Sequence, residues 1–134
     1  MSGLVLKLAP RERVLINGAV IENGDRRGRL NIVTPGANIL RLRDALHPDE
    51  ADTPVRRVCY IAQLALSGEA DPAEARRQIL RGVEQLSQVL TDPDSGAHLT
   101  RATSAILEGQ IYQALKALRA LLPREDRLMA VGPQ

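Results

Sequence analysis

The stretch VLINGAVIENGDRRGRLNIVTPGANILRLRD, Val14–Asp44, carries three turn signals: Asn17-Gly18, Asn23-Gly24 and Pro35-Gly36. Asn-Gly between short apolar runs favours a two-residue hairpin, because both central positions tolerate positive φ. Thr34-Pro35-Gly36 fits a type II turn, with Pro fixing φ ahead of a glycine. Short runs rich in Val, Ile and Leu lie between the turns, and one loop carries Arg26, Arg27 and Arg29. The pattern is that of a small β module displaying an arginine-bearing loop to an anion.

Upstream, Leu4, Leu6 and Leu8 alternate with Val5 and Lys7, the period of a half-buried strand, until Pro10 breaks the run. The spacing then predicts strands over 13–16, 19–22, 29–33 and 38–42, a meander that curls into a small sandwich or partial barrel. Alternation turns Leu30, Ile32, Leu40 and Leu42 inward and Arg29, Arg41 and Arg43 outward, with Lys7 and Arg13 on the same outer side. These cations, with Arg26 and Arg27, are the candidate binding residues. A solvated sheet face is the competing reading, since arginine is normally exposed.

Downstream, Asp44–Thr53 is an acidic connector. Thr53-Pro54 starts a helix to Ser67, with Thr as cap and Pro at the first helical position. That helix is apolar on most sides and is expected at the centre, packed against the sheet. Asp71-Pro72-Ala73-Glu74 starts a second helix, with Glu74 able to reach back as in a capping box. TDPDSG, residues 91–96, stops it. A third helix over 97–108 and a fourth over 110–122 are separated by Gly109, and Pro123 ends the helical part. The expected fold is α+β: an antiparallel β meander followed by four helices. Its parts are a basic β lobe (1–43), an acidic connector (44–53), a helical lobe (54–122) and a loose tail (123–134), all within one domain.

Charge divides the same way. Residues 1–43 carry eight Lys/Arg against three Asp/Glu, a net of +5, and the remainder carries ten against thirteen, a net of −3. The chain has 134 residues, a 44% hydrophobic content and only two aromatic residues, Tyr60 and Tyr112. Its core is therefore aliphatic, and a nucleic-acid site built as a ladder of stacking rings is excluded. A single cysteine, Cys59, forms no internal disulfide and reads as a structural thiol on an apolar helix. His47 and His98 lack neighbours at metal-ligand spacing, so neither a metal nor a cofactor is expected. Asp92 and Asp94 flank Pro93 and read as capping residues. No phosphate-loop, dinucleotide or nucleophile-elbow pattern occurs, and the expectation is a protein that is not an enzyme. No signal peptide or long apolar run appears, giving an expected cytoplasmic location with no membrane contact.

Three blocks resemble one family: GLVLKLAPRERVLINGAVIENGDRRGRLNI (3–32), NILRLRDALHPDEADTPVRRVCYIAQLALSG (38–68) and YQALKALRALLPRE (112–125). Together they are similar to FlbT, the flagellum biosynthesis repressors of alphaproteobacteria, from about Gly3 to Arg127. The resemblance implies a post-transcriptional repressor that associates with the 5′ untranslated leader of flagellin mRNA and hastens its decay or blocks its translation. It also implies work beside a small partner, FlaF, acting in the opposite sense. It supplies no residue-level site, so the RNA-binding set (Lys7, Arg13, Arg26, Arg27, Arg29, Arg41, Arg43) rests on charge and turn geometry alone. The alternative is an adaptor that senses flagellin or FlaF and reaches RNA indirectly, for which the small faces at Ala114, Ala117 and Ala120 suit partner helices. Short edge strands also permit a homodimer across a two-fold axis.

Overall fold

A computed structural model describes residues 4–42 and 45–130. Two compact units divide the chain, Met1–Ala45 and Leu46–Gln134. The fold is α+β, with antiparallel strands preceding helices.

In the first unit, β1 (Leu4–Leu8) pairs with β4 (Gly28–Ile32), while β2 (Arg13–Ile16) lies between β3 (Ala19–Glu22) and β5 (Ile39–Arg41). All pairs are antiparallel. The order therefore departs from a consecutive meander, since only β2 and β3 are both sequential and paired. The Asn17-Gly18 turn has φ of 50° and 85°, the type I′ geometry that matches strand twist. The two small sheets share a core of Leu6, Leu8 and Val14, with Ile16, Leu30, Ile32 and Ile39 packed around it. That aliphatic cluster is what alternation in β1 and β4 dictates.

β5 corrects the expected facing. Its register sets Arg41 opposite Val14 and Leu40 opposite Leu15. Residues opposite one another share a face, so Arg41 lies on the side of Val14, toward the shared core. Leu15 and Leu40, 3% and 4% exposed, lie on the other face. β2 is thus buried on both faces, where alternation assumes one.

The second unit opens within the connector, at Leu46. His47 caps a 3-10 turn, Pro48–Glu50, and its own N–H donates to Glu50 at 2.8 Å. The Gln63 side chain fastens Leu46 through both its N–H (2.7 Å) and its C=O (3.1 Å). Three helices then begin with the same chemistry, a capping oxygen followed by proline: α1 (Pro54–Leu66) after Thr53, α2 (Pro72–Ser87) after Asp71, and α3 (Pro93–Leu107) after Asp92. α3 starts four residues before the expected Ala97, because Asp92 accepts from the Ser95 N–H at 3.1 Å and recruits the turn residues into the helix. Glu74 does not reach back to Asp71; its carboxylate engages Arg77 and Gln78 on its own helix instead. α4 (Ile111–Arg119) follows a break at Gly109, where φ is 76°.

α1 packs on α2 and α4, and α3 packs on the same two, closing an aliphatic core around Val55, Ile79, Ile106, Leu115 and Leu118. At the α1–α2 contact a Cβ on Gly82 would stand 2.3 Å from Val58 Cγ1, so only glycine permits this approach. Residues 123–130 correct the expectation of a loose tail. They form most of α5 (Leu122–Ala130), which touches α1. Pro123 falls in the first turn of this helix, where proline is tolerated, rather than ending the helical part.

Candidate nucleic-acid interface

The β1–β4 register places Lys7 directly opposite Arg29. Opposite residues in an antiparallel pair have Cβ atoms about 4.5–5.5 Å apart, and like charges at that spacing destabilise the sheet. Both side chains are exposed, since Leu6, Leu8, Leu30 and Ile32 take the inner positions of the two strands. Arg27 joins them one residue before β4, and the three cations line an open cleft of about 690 Å³ with Leu8, Ala9, Glu12 and Gly28. Among the described residues none of the three, nor Arg26, forms an ion pair with an acid.

The loop that presents Arg26 and Arg27 is held from inside. Asn23 Nδ2 donates to the carbonyls of Ala9 (2.7 Å) and Arg26 (2.9 Å), tying the loop to the end of β1. The Asn23 main-chain N–H donates to Glu12 C=O at 2.8 Å. A Cβ on Gly28 would lie 3.0 Å from Asn23 Oδ1, so Gly28 admits the tether, whereas Gly24 meets nothing within 4 Å. Asn23 is the residue the sequence reading undervalues. Its Asn-Gly signal suggests a simple turn, but its φ is not positive and its side chain acts as a clamp.

Glu12 is the one acid in the cleft wall, and it is engaged. Its carboxylate accepts from Ala9 N–H at 2.9 Å and from Arg41 Nε at 2.8 Å. Arg41 also donates to the Lys7 carbonyl. The pair is largely enclosed, with side chains 21% and 7% exposed, so Arg41 neutralises Glu12 and braces the cleft from below. It is not the outward cation that alternation suggests. Arg13 is occupied too: its Nε lies 2.9 Å from Glu22, which Arg11 also approaches at 3.7 Å. Arg13 and Lys7 lie on different sheets, each turned away from the shared core. Arg43 lies outside the described residues. The cations brought together and left without an acidic partner are thus Lys7, Arg27 and Arg29, with Arg26 exposed beside them.

The rest of the chain presents little competing chemistry. Among the described residues no group of three or more His, Cys, Asp or Glu could hold a metal ion, and no helix is long and apolar enough to cross a membrane. Cys59 is fully buried, and burial pushes its thiol from an ordinary value of 9.0 up to about 12. Ala114 and Ala117 are buried in the core of their own unit, leaving only Ala120 of that series exposed.

The family model described as "Flagellar protein FlbT" matches residues 4–129. A relative from Chelativorans sp. (strain BNC1), named "Probable flagellum biosynthesis repressor protein FlbT", is 33% identical over 96% of this chain and 88% of its own. One from Bradyrhizobium diazoefficiens, named "Probable flagellum biosynthesis repressor protein FlbT 1", is 34% identical over 93% of this chain and 84% of its own. The "Flagellum biosynthesis repressor protein FlbT" of Caulobacter vibrioides (strain ATCC 19089 / CIP 103742 / CB 15) is 28% identical over 92% and 86%. No solved structure matches the chain. With a family match spanning nearly its whole length, the chain belongs to the FlbT family of flagellar proteins.

Proposed function

We propose that this chain is a repressor in flagellar regulation that acts after transcription, in the cytoplasm and without catalysis, by associating with the 5′ untranslated leader of flagellin mRNA. Repression then follows from faster decay of the message or from obstruction of its translation. The observation that carries this reading is the set of uncompensated cations at the cleft: Lys7 facing Arg29, with Arg27 beside them. An anion seated between Lys7 and Arg29 relieves their repulsion, and phosphate offers several acceptor oxygens to the two donors. With no aromatic residue before Tyr60, affinity rests on phosphate contacts and on arginine bonds to base edges. The repressor part of the reading is supported by the names of the relatives.

The adaptor reading, with FlaF or flagellin as direct partner, draws on the alanine face of α4. Ala114 and Ala117 are committed to the core of their own unit, which favours the RNA reading. FlaF and flagellin then belong to the circuit as modulators rather than as the ligand of this cleft.

The test is titration of purified protein into labelled flagellin leader RNA across a salt series. Three phosphate contacts predict a slope of about −2 in log affinity against log salt for a single strand. Lys7→Ala with Arg29→Ala should weaken binding at least tenfold and flatten the slope, and Arg26→Ala with Arg27→Ala should weaken it further. Parent-like binding by the first double variant, with its fold intact by circular dichroism, removes the cleft from the mechanism. No binding by the unmodified protein without a second protein favours the adaptor.

A further inference from the structure

β3 is an edge strand with every residue exposed, including Val20 at 53% and Ile21 at 37%. It is short and ends on Glu22, but it carries no proline, no lysine and no bulge to keep it from pairing. Its hydrogen-bond phase follows from its neighbours. The two-residue turn makes Ile16 and Ala19 exchange main-chain bonds, and Asn23 N–H donates to Glu12 C=O. In that phase Ala19, Ile21 and Asn23 point their N–H and C=O groups at β2. On the other side of β2, Asn17 N–H donates to Asn38 C=O, as the same phase requires. The main-chain groups of Val20 and Glu22 therefore point outward, away from the sheet.

We propose that β3 pairs with β3 of a second copy of this chain, antiparallel about a two-fold axis through Ile21. In that register Val20 exchanges two main-chain bonds with the partner's Glu22, and Glu22 exchanges two with the partner's Val20. Ile21 then faces the partner's Ile21 as a non-hydrogen-bonded pair and extends the apolar surface across the axis. Charge permits it, because Glu22 is already paired with Arg13 and Arg11 and lies opposite Val20 rather than another Glu22. Among the other edge strands, β4 is a poor candidate for self-pairing, since it carries Arg29 and follows Arg27. Four-residue strands bury less than the roughly 1,000 Å² typical of a stable interface, so the dimer is weak and concentration-dependent.

Sedimentation of the full chain from low to high micromolar concentration should show a shift from 14.6 kDa toward twice that mass. Val20→Pro removes only an outward N–H, keeps the β2–β3 ladder, and should weaken dimerisation at least tenfold with an unchanged circular-dichroism spectrum. Ile21→Cys should form an intermolecular disulfide under mild oxidation, because facing Cα atoms in a non-hydrogen-bonded pair lie about 4.5 Å apart. Val20→Cys, which faces the partner's Glu22, should crosslink at least tenfold more slowly. The native thiol does not compete, since Cys59 is 0% exposed. A monomer at every concentration with no crosslink in Ile21→Cys overturns the proposal and leaves the edge for a strand of another protein. A dimer that Val20→Pro leaves intact overturns it equally, because that dimer uses another surface.

Discussion

Lys7 stands directly opposite Arg29 in the β1–β4 pair, two cations where a sheet ordinarily places opposite charges or neutral residues. The nearest acid in the cleft, Glu12, is held by Arg41, so the repulsion is not relieved from within the described residues of the cleft. Under the proposed function, the anion that relieves it is a phosphate of the leader RNA.

Lys7→Glu converts the repulsive pair into an attractive one without disturbing the Lys7 carbonyl that Arg41 engages. Thermal unfolding should shift upward, by about 0.5 kcal/mol in stability, while affinity for leader RNA falls at least tenfold. Opposite movement of stability and binding separates a binding residue from a structural one. A variant that loses both would mark Lys7 as structural.

Arg41 and Arg27 should behave as opposites. Arg41→Ala removes the charge-assisted hydrogen bond to the enclosed Glu12 carboxylate and should cost about 1–3 kcal/mol in denaturant unfolding of the chain. Arg27→Ala removes an exposed side chain and should leave stability within about 0.5 kcal/mol. RNA binding of the Arg27 variant should nevertheless fall.

Glu125 on α5 caps a helix that begins far upstream. It accepts from Val55 N–H at 2.9 Å and from the Thr53 hydroxyl, while Arg56 reaches Asp126 at 2.7 Å. Glu125→Ala should cost about 1–3 kcal/mol by leaving a buried N–H without a partner. Glu125→Gln should cost less, since its single amide oxygen still serves one donor. Truncation after Leu122 should lower the melting temperature of the full protein at least as far as Glu125→Ala does.

Cys59 should resist alkylation in the native protein and react within minutes in denaturant. Its raised thiol value means that the native state keeps a proton that the unfolded chain releases above about pH 9. Its contribution to stability is therefore full below that pH and declines from there up to about 12. Comparing melts of the parent and Cys59→Ala from pH 8 to 10.5 isolates it, with the parent losing more stability over the alkaline half.

The local signals sit within a few residues of what they specify, and they were legible. Asn17-Gly18 marks a hairpin because two adjacent backbones adopt positive φ, and Thr53-Pro54 and Asp71-Pro72 mark helix starts because a cap bonds the first turn it precedes. The aliphatic core, the basic character of the first third and the arginine loop likewise follow from residue types and their spacing.

What the tertiary structure decided is which of those residues meet. Alternation assigns a residue to a face, but not which face is covered when both are, and so it misplaced Arg41, whose role comes from contact with Glu12 twenty-nine positions away. Pairing of β1 with β4 rather than of β3 with β4 is what sets Lys7 against Arg29. The same holds for residues after Pro123, which look loose until Glu125 finds the start of α1 seventy positions upstream. In each case the deciding interaction joins charges or main-chain groups far apart along the chain. Val14–Asp44 specifies turns, strands and an arginine-bearing loop; chain pairing selects Lys7, Arg27 and Arg29 as the cations of the cleft.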